Sequence, residues 1–286
     1  MSGFSAEWLS LREPIDGRAR AAELIRPLRR WRGHTERIRV LDLAAGTGAN
    51  LRFLAPLLGG EQVWLLADND PGLLTALPSA MERWASRKGF AIDSGGRRVR
   101  GGAFEAEILT LRCDLSRDLG CLPWEDCRLV TASALLDLVS EAWLSNLAEH
   151  CRAARAATLF ALTYDGRMRW DPEEPPDGHV RMMVNGHQLR DKGFGPALGP
   201  TADAKAHQIL ASSGYRVTSG CSDWRVTPDE KAVQRALIEG WELAAREMVP
   251  ERGADLAIWR QSRIAHIAAG RSRLTVGHRD LLAVPA

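Results

Sequence analysis

Lysine is almost missing from this chain: four of its 38 basic residues, Lys88, Lys192, Lys205 and Lys231, are lysines and the rest are arginines. The bias reads as a compositional preference rather than as recognition, because 36 acidic residues leave a formal net charge of only +2. Such a balance lacks the basic footprint of a nucleic-acid binder. Cysteine is scarce and odd in number, at positions 113, 121, 127, 151 and 221. That scatter excludes a disulfide framework and suits a reducing compartment. Neither C-x-x-C nor H-E-x-x-H spacing occurs, so no metal site is indicated. No run approaches the ~18 apolar residues of a membrane span, and the first residues lack the apolar core of a signal peptide. The expectation is a soluble, cytoplasmic protein that engages neither nucleic acid nor membrane.

What is present is a core-forming chain of 286 residues, 45% hydrophobic, long enough to bury a large core. An apolar run, Ile38 to Leu43, carries Asp42 and meets the small-residue turn Ala44-Ala45-Gly46-Thr47-Gly48; Leu51, Leu54 and Leu57 then follow at helical spacing. Strand, glycine turn and helix form the unit that sets a ligand beside a helix N-terminus at the carboxyl edge of a parallel sheet. A dinucleotide fingerprint needs a small residue three positions after Gly48, where this chain has Leu51. A second run, Val63 to Ala67, ends in Asp68-Asn69-Asp70-Pro71. An acid at a strand tip can accept hydrogen bonds from a ribose diol, whereas Asp70 before Pro71 has the form of a helix cap. A third run, Glu107 to Cys113, ends in Asp114-Leu115; a fourth, Cys127 to Ser133, leads into Ala134 to Val139; a fifth spans Ala157 to Tyr164.

The pattern Asp42-Leu43-Ala44-Ala45-Gly46-Thr47-Gly48 resembles motif I of the class I S-adenosylmethionine-dependent methyltransferases of the small-molecule type, D-x-G-x-G-x-G, with Ala44 at the first glycine. The resemblance covers residues 37–164 by motif and 201–286 by topology alone. It implies S-adenosyl-L-methionine as cofactor, with Asp42, Ala44, Gly46, Gly48 and Asn50 around the turn. It further implies Asp68, with Asn69, at the ribose, Asp114 and the Leu115 amide at the adenine, and Ser133 lining the site.

The expected fold is α/β: a doubly wound, seven-stranded, mostly parallel sheet with an antiparallel last strand, helices on both faces and helical cap insertions. Residues 1–36 form an amphipathic helical segment, divided by Pro14 and Pro27, that can cover the cleft. Residues 37–164 are the Rossmann-like core. The glycine- and arginine-rich stretch 92–107 reads as a surface loop. Residues 165–200, with a helix from His179 to Asp191, form the acceptor-binding cap. Residues 201–286 complete the sheet, with a helical insertion at about 229–269.

Methyl transfer from a sulfonium needs alignment and exclusion of water above all, because the leaving group is already activated. A base matters only for an acceptor that is a poor nucleophile. Candidates are Asp137 past the fourth strand, Tyr164 at the end of the fifth, and His187 on the cap helix, whose ordinary pKa suits proton removal near neutrality. Asp137 also has the position of a cap for the helix starting near Ser140. The expected partner is a small-molecule acceptor; isologous dimers are common among soluble proteins, though no segment marks an interface. Competing readings are an RNA or protein methyltransferase, disfavoured by the missing N-P-P-Y-like tetrapeptide and basic tail, and a non-catalytic nucleoside-binding protein on the same fold.

Overall fold

The computed structural model describes residues 5–286, so the first four residues of the expected N-terminal segment lie outside it. Among the described residues ten strands form one sheet: β1 Arg37–Leu43, β2 Gly60–Asp68, β3 Ala91–Ile92, β4 Arg98–Arg100, β5 Phe104–Arg112, β6 Cys127–Ser133, β7 Ala157–Asp171, β8 Tyr215–Cys221, β9 Trp224–Val226 and β10 Arg273–Pro285. Their order is β3-β4-β5-β2-β1-β6-β7-β10-β8, with β9 paired to β10. Neighbours from β5 to β7 are parallel. β10 inserts antiparallel between β7 and β8. The seven expected strands are all present, and an antiparallel last strand beside the fifth and sixth is the ending that the resemblance implies.

Nine helices of the described residues flank the sheet: α1 Ala6–Ala19, α2 Ile25–Arg32, α3 Ala49–Leu58, α4 Pro71–Lys88, α5 Glu141–Ala153, α6 Asp177–Gln188, α7 Ala202–Ser212, α8 Lys231–Met248 and α9 Gly253–Ala268. α2, α3 and α4 pack on one face around Leu28, Leu54 and Met81, and α5 and α7 on the other around Leu147 and Leu210. A third apolar cluster joins α6, α8 and α9 to the far ends of β7 and β10. Among the described residues no helix is long and apolar enough to cross a membrane.

Three local expectations change. Pro14 does not divide the first helix: α1 runs through it to Ala19, with Arg20 as its C-cap. Pro27 lies in the first turn of α2, where its missing N–H is no loss. The stretch 92–107 is not simply a loop, since β3 and β4 form a hairpin that adds to the β5 edge. Strand β7 continues past Tyr164 to Asp171 because β10 pairs with it along that length. The helical part of the 165–200 segment therefore starts at Asp177.

Candidate functional site

The strand order reverses at β1, with β2 on one side and β6 on the other. Loops leaving the carboxyl ends at such a reversal diverge and open a crevice. Three non-glycine residues at that edge hold left-handed backbone: Ala44 after β1 (φ 50°), Ala134 after β6 (φ 54°) and Leu162 within β7 (φ 54°). An L-residue pays sterically for that conformation, and such strain gathers at ligand sites. Gly46 (φ 55°) and Gly48 (φ 80°) complete the turn. The Gly48 amide donates to the Ala45 carbonyl at 2.9 Å, and its own carbonyl accepts the first α3 hydrogen bond, from Arg52.

Asp68 ends β2 directly beside this turn. Its Oδ2 accepts from the Gly46 amide at 2.7 Å and its Oδ1 from the Asp70 amide at 2.9 Å. Each carboxylate oxygen keeps a lone pair. Asp70 is the α4 cap, accepting from the Gly72 and Leu73 amides; Asn69 is exposed between them. Asp42 is fully buried: Oδ1 accepts from Asn50 Nδ2 at 2.8 Å, and Oδ2 has no partner. Burial pushes its carboxyl up to about 7, against the pull of the Asn50 bond and the Arg20 charge, while nearby Asp68 adds to the rise. Ser133 is half-buried at the end of β6. Asp114 is turned toward its own loop. Its Oδ1 accepts from the Ser116 hydroxyl and amide and its Oδ2 faces Arg117, bonds that hold it below the usual carboxylate range. Leu115 is buried, and its carbonyl accepts from Trp143 Nε1.

Two segments cover this edge. Helix α1 touches α3, α4, α8 and β9. A Cβ on Gly46 would come within 2.9 Å of Leu9 Cδ1, so α1 rests on the glycine turn. Glu13 clamps it there through Arg52, both carboxylate oxygens taking guanidinium nitrogens at 2.7 Å; the same guanidinium reaches the Thr47 carbonyl. From the other side, the Gly199 and Leu198 amides donate to the Asp137 and Val139 carbonyls, docking the cap turn on the loop after β6.

Of the three proton-transfer candidates, the fold brings two together. Ser140, not Asp137, caps α5, which leaves the Asp137 side chain buried with Oδ1 unpartnered. Burial pushes its carboxyl up to about 6, moderated by backbone amides of its own loop and Tyr164 and by the charges of Arg12 and Lys192. Tyr164 lies buried nearby, but its hydroxyl donates to Asn185 Oδ1 at 2.6 Å, and burial raises its pKa. It is held as a donor rather than a base. His187 is placed at the α6–α8 seam, its ring nitrogens on Glu247 (3.1 Å) and Lys192 (3.2 Å).

Residues that the sequence reading did not single out also converge here. His278 of β10 pairs in register with Tyr164; its ring stands 6.1 Å from Tyr164 and 4.9 Å from Trp224. Nδ1 lies 3.0 Å from the Val276 carbonyl, and burial next to Arg12 pushes its pKa down to about 3. Arg12 in turn holds Asp16 at 2.8 Å and stacks over Trp224. A charged residue recurring on the inward stripe of α1, at 12 and 16, was the one signal available. A cavity of about 370 Å³ opens at the same edge between α1 and the ends of β8 and β9, lined by Ile15, Arg18, Ala19, Cys221, Asp223 and Arg225.

No protein-family model and no curated protein matches the sequence. Among solved structures the chain is similar to a SAM-dependent methyltransferase from Geobacter sulfurreducens in complex with S-adenosyl-L-homocysteine, at 14% identity, full coverage of both chains and a TM-score of 0.47. It is also similar to a cyclopropane synthase from Mycobacterium tuberculosis, at 10% identity, 91% of this chain, 83% of that chain and a TM-score of 0.45. A third likeness is to a phosphoethanolamine N-methyltransferase from Haemonchus contortus, at 14% identity, 99% of this chain, 58% of that chain and a TM-score of 0.45. At these values the likenesses carry no functional weight, and function rests on the site itself.

Proposed function

We propose that this chain is an S-adenosylmethionine-dependent methyltransferase acting on a small molecule. The observation that carries the reading is the meeting of Asp68 with Gly46 at the sheet's reversal point, beside a buried Asp42 oxygen that has no partner. Buried polar atoms in folded proteins are nearly always satisfied, so an orphaned carboxylate oxygen behind a glycine turn fits a ligand with a positive or donor group. The residues present suit the cofactor: Asp68 has free lone pairs for a ribose diol, Asp42 has Oδ2 for the amino end, and Gly46 and Gly48 allow main-chain approach. Asp114 and Leu115 are assigned to the adenine by their place after β5.

When bound, S-adenosylmethionine supplies a methyl carbon on a positively charged sulfur, so that the acceptor's lone pair forms the new bond as the carbon–sulfur pair returns to sulfur. The chain's part is alignment and exclusion of water. Helix α1 and the cap turn enclose the edge, and Asp137, with a carboxyl near 6, is the group poised to take the acceptor's proton near neutrality. Five free cysteines suit a cytoplasmic setting.

The test is calorimetric titration with S-adenosylhomocysteine and, separately, NAD. Micromolar binding of the nucleoside and none of NAD is expected. Absence of nucleoside binding would sink the reading.

A further inference from the structure

We infer that Arg20 is a positioning residue of the cofactor site: through Asn50 it holds Asp42 with one carboxylate oxygen free for the ligand, and it ties the N-terminal segment to the glycine turn. The inference rests on the proposed cofactor reading. Arg20 sits where α1 ends, and its charge is buried. Its Nη1 donates to Asn50 Oδ1 at 2.8 Å, its Nε to Asp280 Oδ2 at 3.3 Å, and its plane covers Phe53 at 4.4 Å.

A guanidinium can only donate. With Arg20 on Oδ1, the Asn50 amide has one orientation available, and its NH₂ group must face the other way. There it donates to Asp42 Oδ1 at 2.8 Å and to Thr131 Oγ1 at 2.9 Å. The Thr131 hydroxyl donates onward to the Leu159 carbonyl at 2.7 Å, so it meets Asn50 as an acceptor. Both hydrogens of the Asn50 amide and the Thr131 hydroxyl hydrogen are thereby committed, and Asp42 Oδ2 is the oxygen left over. Without a donor at position 20, the Asn50 amide is free to flip and set its own oxygen against Asp42.

Asp280 anchors the other end. Its Oδ2 also accepts from the Ala21 amide at 3.0 Å, and its Oδ1 from the Leu162 amide at 2.7 Å, at the left-handed kink of β7. One hydrogen-bonded chain thus runs from β10 through the N-terminal segment to the carboxylate behind the glycine turn. The charged groups acting on Asp42 are Arg20 from that segment and Asp68 from β2; Asn50 and Thr131 are neutral.

The test compares the full-length wild type, Arg20→Gln and Arg20→Lys by S-adenosylhomocysteine titration between about pH 5.5 and 8.5, with a ligand-free carboxyl-carbon NMR titration of Asp42. Wild-type affinity is expected to rise with pH through about 7, as Asp42 ionises. Arg20→Gln is expected to bind about tenfold or more weakly at neutral pH, the scale of a lost charge-assisted hydrogen bond, with the Asp42 midpoint moved upward; Arg20→Lys recovers part of both. Should Arg20→Gln not fold by circular dichroism, Asn50→Ala cuts the chain one link later and must weaken binding alike. Equal affinity and an equal Asp42 midpoint in wild type and variant would overturn the inference and leave the cofactor reading standing. A wild type that binds no nucleoside at any pH overturns both.

Discussion

The Gly46 amide donates a 2.7 Å hydrogen bond to Asp68 Oδ2 across 22 residues of sequence, locking the tip of β2 to the turn after β1. An amide at position 68 keeps the size but turns an NH₂ group toward the amide of Gly46 or Asp70. Asp68→Asn is therefore expected to cost about 1–3 kcal/mol of stability, the range for an unsatisfied buried group. It should also reduce S-adenosylhomocysteine affinity by more than tenfold. Urea unfolding and calorimetry read the two effects separately; unchanged affinity would remove Asp68 from the site.

Ala44 carries a methyl where its backbone is left-handed, φ 50°. Relief of about 1–2 kcal/mol of steric cost outweighs the about 0.4–1 kcal/mol that a more flexible unfolded chain takes back. Ala44→Gly is expected to raise the thermal midpoint by a few degrees. A lower midpoint would mean that the methyl packs usefully.

His278 and two buried carboxyls pull the acid limb of stability in opposite directions. Its folded pKa, about 3, lies below the ordinary histidine value near 6.5. The unfolded chain therefore takes up the proton first, and stability falls as pH drops from about 6.5 toward 3. Asp42 and Asp137, raised to about 7 and about 6, work the opposite way: their folded forms bind protons first, so stability rises as pH falls from about 7 toward 4. In His278→Asn the histidine loss is gone, by about 3 kcal/mol at pH 4. Denaturant midpoints should then climb toward pH 4 more steeply than the wild type's, whose rise the histidine offsets; parallel curves would rule the histidine out.

Arg263 is fully buried, with Asp177 Oδ2 at 2.6 Å and the Pro172 carbonyl at 2.7 Å, and Trp259 Nε1 donates to Asp177 Oδ1. Removing one partner strands a buried charge, so Asp177→Ala is expected to cost about 3–5 kcal/mol, while the double variant Asp177→Leu/Arg263→Met recovers most of it. Nucleoside affinity should not move, because this network binds α9 to the loop before α6, away from the glycine turn. Additive losses in the double variant would show that the pair is not coupled.

The five parallel strands were legible because each carries an apolar run closed by a polar or glycine turn, a pattern that backbone geometry enforces locally. Asp68 and the glycine turn were legible for the same reason: strand tip, acid and spacing lie in consecutive residues. The hairpin at 91–100 was hidden, since its strands are two and three residues long and the pair is held to the sheet only through β4 on β5. Pro14 misled because packing of α1 across the edge overrides the missing backbone bond.

By itself, then, the sequence determined the alternation of strands and helices and the glycine turn between β1 and α3, because hydrophobic periodicity and glycine's conformational freedom act over a few residues. Only the tertiary structure decided that Arg20 meets Asp280 across 260 positions, that His278 faces Tyr164, and that Asp137 is buried without a partner for Oδ1 while His187 is held by Glu247. Those outcomes depend on which strands become neighbours and which charges lose water together, and no local pattern encodes either.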